Sequence, residues 1–284
     1  MSGSGTRIVV DSTADLGDLA REWGVTVAPL TVTFGDDSFA DGVDITPRAF
    51  FAKLAASPTL PTTSQPTPGA LDAIYRGLLS EGASGIVSIH VSAKLSGTYG
   101  TAAQVAQMLR ESGVTTPIEL VDSEQASLSM QFGIQAAVEA ARAGQDAATV
   151  AERARDVFAR STVFLVADDL GYLRRGGRIG AAQRVAGALL SVKPIITLRD
   201  GVVVALENPR TRRRAYERLA EHVREMAPVE AVIVGQSTQE YGDELEAAVR
   251  QVYTGPMRRM WPGAVVGTHV GPGAAGLAVL RARG

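Results

Sequence analysis

No cysteine occurs among the 284 residues of this chain. That absence removes disulfides, thiolate nucleophiles and cysteine-based metal sites together. Histidine is nearly as scarce: His90, His222 and His269 are the only three, too scattered for a metal centre. Asp168-Asp169 lacks the companion ligands that would make it one. Lysine is confined to Lys53, Lys94 and Lys193, so arginine supplies nearly all the positive charge. With the abundant alanine, this reads as codon bias rather than function. The formal net charge is only −2, which argues against nucleic acid as the main partner. Long apolar runs are missing too: VAGALLSV (Val185 to Val192) is far too short to span a bilayer. No positively charged N-terminus leads into an apolar run, so no secretory signal is expected. The expectation is a cytoplasmic protein without a transmembrane segment. What remains is ordinary globular composition, 45% apolar and 20% charged, on a chain long enough for two domains.

The first half alternates short β-branched runs with amphipathic helices. RIVVDS (Arg7 to Ser12), VTVAPL, TVTFG and PIELVD (Pro117 to Asp122) read as strands, with Asp36-Asp37 at a turn. Thr46-Pro47 opens a helix with a cap and a proline at its first position. Strands alternating with helices of this length predict a largely parallel sheet covered on both faces. The pattern changes near Ser161. TVFLVADD (Thr162 to Asp169) starts a new run, followed by YLRRGGRIG and a helix through Leu190. PIITL-RDG-VVVAL predicts a hairpin turning at Asp200-Gly201. A helix (Arg212 to Met226), a strand (Val229 to Gly235), a helix (Glu240 to Tyr253) and a last apolar run read as a strand, AVVGTHV (Ala264 to Val270), follow. The expected division is residues 1–160 for an N-terminal α/β domain and residues 161–284 for a second.

Two segments concentrate hydroxyl groups. SAKLSGTYGT (Ser92 to Thr101) lies where the strand GIVSIHV turns into a helix, and it places Ser92, Ser96, Gly97, Thr98 and Tyr99 at the helix start. A helix N-terminus has unpaired N–H groups and a partial positive charge, so it attracts carboxylates and phosphates. An ordinary N-cap uses the same residues. PTTSQPT (Pro61 to Thr67) sets Thr62, Thr63, Ser64 and Thr67 between prolines, again just before a helix. Prolines stiffen such a loop and supply no N–H. It reads as a second wall of an anion cradle or as a connector between helices.

The remaining motifs exclude more than they assign. GPGAAG (Gly271 to Gly276) matches a dinucleotide fingerprint literally, but too few residues follow it for the helix, strand and carboxylate that nucleotide binding needs. It reads as a turn before a last helix. No phosphate-binding G-x-x-x-x-G-K-[ST] loop is present. Ser96 with His269 or His90 as base would make a hydrolase, yet no serine stands in G-x-S-x-G and no carboxylate is evidently placed to orient either histidine. His90 reads as a strand-end or core histidine, His222 as a surface one, and His269, ahead of a glycine turn, as the best placed to reach a pocket.

RIVVDSTADL, PTTSQPT, HVSAKLSGTYGTA, LVDSEQAS, YLRRGGRIG, VKPII and GTHVGPGA together closely resemble the DegV family, in the family's order and over essentially the whole chain. The resemblance implies two α/β domains, a mostly parallel N-terminal sheet flanked by helices and a mixed C-terminal sheet, with a long-chain fatty acid such as palmitate between them. It further implies a fatty-acid-binding subunit that presents the carboxylate to a separate ATP-dependent fatty acid kinase subunit and carries the acyl phosphate. The chain itself would then be no enzyme and would hold no cofactor besides its lipid. By motif, Thr63 and Ser96 correspond to the residues that hydrogen-bond the carboxylate, and His269 to a third polar group near it. Thr62, Ser64, Ser92, Gly97 and Thr98 stand beside them in the same loops. By the same resemblance, Arg174, Arg175 and Arg178 fall in a region expected to contact the kinase subunit. Where the family often reads SS before KLSGTY, this chain has Ser92-Ala93, one donor fewer. Two other functions stay open: a serine esterase or thioesterase using Ser96, and a binder of another amphiphilic anion.

Overall fold

The computed structural model describes residues 5–183 and 192–283. Its first half runs β1 (Thr6–Asp11), α1 (Leu19–Trp23), β2 (Thr26–Ala28), β3 (Thr31–Phe34), β4 (Asp37–Ala40), α2 (Pro47–Ala56), β5 (Thr62–Ser64), α3 (Pro68–Ser80), β6 (Gly85–His90), α4 (Thr98–Glu111), β7 (Ile118–Asp122), α5 (Met130–Arg142) and α6 (Ala147–Phe158). Four of these strands form a wholly parallel sheet in the order β2-β1-β6-β7. Side chains alternate across it. Ile8, Val10, Val87 and Ile89 meet α5 and α6 on one face. Val9 and Ile86 meet α3 and α4 through Leu71, Tyr75, Val105 and Leu109 on the other. Covered on both faces, β6 is buried at every position, which is why GIVSIH reads as a continuous run.

The strands β4-β3-β5 form a small antiparallel sheet beside this layer. Its hairpin turns at Gly35, with φ of 60°, and Asp36, one residue earlier than the expected turn. PTTSQPT is no simple loop, because β5 pairs Thr63 with Val32 at the sheet edge. Alternation along so short a strand then separates Thr63, half-buried, from Thr62 and Ser64, both exposed. Thr46 and Thr67 cap α2 and α3, accepting from the N–H groups of Ala49 and Ala70, with a proline at each helix start.

The second half runs β8 (Ser161–Val166), α7 (Gly171–Arg175), β9 (Ile195–Arg199), β10 (Val202–Glu207), α8 (Arg212–Glu225), β11 (Val229–Gln236), α9 (Gln239–Arg250), β12 (Met257–Met260), α10 (Ala264–Val270) and β13 (Ala275–Arg281). Its six strands form a mixed sheet, β10-β9-β8-β13-β11-β12, in which only β11 and β12 are parallel. The molecule thus has two α/β domains, one with a parallel sheet and one with a mixed sheet. Asp200 and Gly201, both at positive φ, make the two-residue turn of the β9–β10 hairpin. The expected helix through Leu190 falls largely outside the described residues, which include only a short helical turn at Gly180–Ala182.

The C-terminus departs from the sequence reading. AVVGTHV, expected as a strand, is α10, and the expected last helix is β13, a central strand of the mixed sheet. The β-branched residues misled, because partners far away in sequence decide the backbone here. Asp15 accepts from the Gly263 N–H and Asp41 from the Ala264 N–H, both at 2.8 Å, so two remote carboxylates satisfy the opening donors of α10. At the other end Gly271, with φ of 78°, stops the helix.

Candidate functional site

Ser96 and Thr63 reach a common cavity through two interlocked loops. Gln65, two residues past Thr63, donates to Thr101 of α4 at 2.6 Å. Gly97, the N-cap of α4, lies so close to Gln65 that a Cβ there would stand 2.2 Å from its Oε1. No side chain caps that N-terminus from Gly97. Ser96 Oγ instead accepts from the Thr98 N–H at 3.3 Å and shares a 2.8 Å hydrogen bond with the Thr98 hydroxyl. Thr98 is fully buried and supports Ser96 from below, while Ser96 lines the cavity.

His269, near the end of α10, completes this end of the cavity: its Nε2 lies 3.0 Å from Thr63 Oγ1. Burial, reinforced by the nearby Arg178 charge, pushes its pKa down to about 4, so the ring is neutral near pH 7. Its Nδ1 is buried without a hydrogen-bond partner among the described residues. That atom faces Gly176, where a Cβ would come within 2.3 Å of it.

The cavity measures about 160 Å³. Beyond Thr63, Ser96, His269 and Arg178 its walls are mainly apolar, drawn from β8, β9, β11, β13 and α10, with Leu30, Leu95, Leu128 and Leu173 among them. Other polar residues on the wall have their donors engaged by the protein. Thr13 donates to Asp11, Ser127 to Asp15 and Thr197 to the Val163 carbonyl. The Gln236 amide bonds Gln239, and its carbonyl oxygen accepts from Arg259. The arrangement therefore offers one polar end and a long apolar wall, suited to an amphiphile.

The other expected site residues lie elsewhere. Thr62 and Ser64 point away with the outer face of β5. Ser92 is fully buried and donates to the Gly201 carbonyl at 2.8 Å, tying the hairpin tip to the Ser96 loop. Arg174 and Arg175 are exposed, Arg175 lying over Tyr172 and 3.8 Å from Asp169. Arg178 is half-buried, and it lines the cavity.

One expectation about the histidines was wrong. Asp11 Oδ2 lies 3.2 Å from His90 Nδ1, and His90 Nε2 lies 2.8 Å from Ser88 Oγ, which accepts from Tyr75. All three members of this Ser-His-Asp chain are 0% exposed, so no substrate reaches Ser88. Spacing gave no sign of it, because β1 and β6 pair side by side only in the folded sheet. No group of three or more potential metal ligands clusters among the described residues.

The DegV family model, described as an uncharacterised protein family, matches residues 5–282. The chain belongs to the DegV family. A DegV domain-containing protein of Streptomyces coelicolor is 38% identical over 281 residues, covering 96% of this chain and 97% of its own length. A solved DegV family protein from Thermus thermophilus, described for its fatty acid binding, has a TM-score of 0.87 at 31% identity, over 98% of this chain and all of that one. A stearic-acid-binding protein from Eubacterium ventriosum gives 0.88 at 26% identity, over 97% and 98%. In this DegV chain, the residues that sequence reasoning missed are the cavity walls and the Asp15–Asp41 anchor of α10. Alternating strands predict which side chains are buried, but not which two sheets enclose a gap.

Proposed function

We propose that this chain binds a long-chain fatty acid, with its carboxylate at Thr63, Ser96 and His269 and its tail along the apolar walls. The observation that carries this reading is the division of one cavity into a polar end and walls whose other donors are already engaged. The solved relatives described as fatty-acid- and stearic-acid-binding support the same ligand class. The bound acid is presented to a separate ATP-dependent kinase subunit, and the chain carries the acyl phosphate away in the cytoplasm. The exposed Arg174 and Arg175 are the residues offered to that partner.

This division of labour leaves the chain without catalysis of its own. Ser96 bonds Thr98, and His269 bonds Thr63, so the hydrolase pairing of Ser96 with His269 has no support in the hydrogen bonding. Phosphoryl transfer needs groups that position ATP and neutralise its charge. Pure protein incubated with ATP, magnesium and labelled palmitate should bind the acid about one to one and form no acyl phosphate. Catalytic acyl phosphate in that tube, or stoichiometric labelling of Ser96 by a fluorophosphonate, would overturn the carrier reading.

A further inference from the structure

Ser96 stands on a turn that is fastened from both domains. The N–H groups of Leu95 and Ser96 both donate to the Ser92 carbonyl, at 2.9 and 3.1 Å, so the loop closes on one atom. The backbone of Ser92 belongs to the first domain. Its N–H donates to the Gln125 carbonyl at 2.9 Å, and the next N–H, of Ala93, donates to the Asp122 carboxylate at 3.2 Å. The Ser92 hydroxyl turns to the second domain instead: it donates to the Gly201 carbonyl at 2.8 Å while accepting from the Lys94 N–H at 3.2 Å. Lys94 Nζ then donates to the Asp200 carbonyl at 2.6 Å. Both tip residues of the β9–β10 hairpin thus offer their carbonyls to one loop. The fit is close: a Cβ on Gly201, whose φ of 73° already favours glycine, would stand 2.3 Å from Ser92 Oγ. Gly201 is buried, so its carbonyl is satisfied by the Ser92 hydroxyl where an ordinary hairpin tip would use water. The same hairpin lends Ile196, Leu198 and Val203 to the cavity wall.

We propose that the hairpin tip is a clasp that sets the Ser96 hydroxyl in place, which makes Ser92 and Gly201 positioning residues for the ligand head group. The inference rests on the fatty acid reading of the cavity. Neither residue lines the cavity, so both act through Ser96. A binding hydroxyl keeps its worth only while supporting bonds hold it to within about 0.5 Å of its place. Hydrogen bonds weaken steeply once their angle is lost. The side-chain partner of Ser96, Thr98, lies two residues on in the same segment and gives it no tie to the second domain. That tie comes from Ser92 and Lys94. Seating one hairpin therefore completes the apolar wall and fixes the head-group hydroxyl together, so a single docking of the domains serves both ends of an amphiphile.

The test is a pair of double-mutant cycles, read by calorimetric titration of palmitate into the full chain. Ser92→Ala should weaken binding about three- to tenfold, within what one neutral hydrogen bond contributes. Gly201→Ala, made on the other domain, should do the same, and it serves as the readout should the buried Ser92 variant fail to fold. In a Ser96→Ala background either substitution should cost less than about twofold, the scatter of independent effects. A merely structural role would lower affinity by the same factor with or without the Ser96 hydroxyl, and that result would overturn the proposal. Full palmitate affinity in both single variants would overturn it as well. If Ser96→Ala masked the effect of Ser92→Ala but not that of Gly201→Ala, control would lie within the loop and the clasp would be wrong. Failure of the unaltered protein to bind palmitate would remove the fatty acid reading and this inference with it.

Discussion

Under the fatty acid reading, His269 bears two opposing demands: its ring would meet a carboxylate in the cavity, yet its surroundings penalise a positive charge. Burial and the Arg178 guanidinium hold its pKa down to about 4, against an ordinary value of 6.5. A base whose pKa is lower in the folded state stabilises the fold in its neutral form. The contribution is whole above about pH 6.5 and is lost as the pH falls through about 4. At about 1.4 kcal/mol per unit, the loss is roughly 3 kcal/mol. Thermal unfolding of ligand-free protein between pH 7 and 4 should therefore cost the unaltered chain more than His269→Gln. Parallel curves for the two would show that the ring is not held neutral. The histidine itself was legible in GTHVGPG, but its neutrality was not, since Arg178 and Gly176 approach it only through the fold.

At the scale of elements, α10 explains why a seven-residue helix can present His269 reliably. Isolated helices this short are unstable in water, so the energy must come from tertiary contacts. Gly267 lies against Phe50, where a Cβ would come within 2.5 Å of the ring, and Ala264 and Val265 join the cluster of Leu30, Val32, Phe34 and Phe51. Asp15 and Asp41 hold the opening N–H groups. Burial, with the Asp41 charge second, pushes the Asp15 carboxyl well above the usual range, and burial raises Asp41 as well. An acid whose pKa is raised on folding favours the fold when protonated. That contribution is complete below about pH 3.8, the ordinary value, and is lost as the pH rises through the raised one. Asp15→Asn keeps an oxygen for the Gly263 N–H and removes the charge. Measured against the unaltered chain, it should gain about 1–3 kcal/mol, the usual penalty of a poorly compensated buried polar group, between acid pH and pH 8. A stability difference independent of pH would remove the charged cluster from this account. Sequence periodicity had no access to the anchor: Asp15 and Gly263 stand 248 residues apart, and β-branched valines in AVVGTHV spoke for a strand.

For the whole molecule, what could be read in advance divides along the same line. Parallel strands buried on both faces, capped helices and an Asp-Gly hairpin write themselves into local residue patterns, and they appear where the patterns put them. The hydroxyl loops announced the polar end. The apolar walls did not, because they come from strands of one sheet facing loops of the other, and each contributing side chain looks like ordinary core. Yet under the fatty acid reading those walls supply most of the affinity. Burying about 14 methylenes is worth roughly 11 kcal/mol gross at about 0.8 kcal/mol each, before the costs of association and ordering. A hydrogen bond to a carboxylate contributes about 1.5–3 kcal/mol. Ser96→Ala should then weaken palmitate binding about ten- to a hundredfold, following the same range, without abolishing it. Shortening the acid to octanoate should do more damage than the mutation, because it leaves about half the wall unfilled while the head group keeps every partner. Calorimetric titration of both acids into both proteins settles the order of the two effects. Equal affinities for octanoate and palmitate would mean that the walls hold no tail, and the cavity would then have to be a site for a small anion.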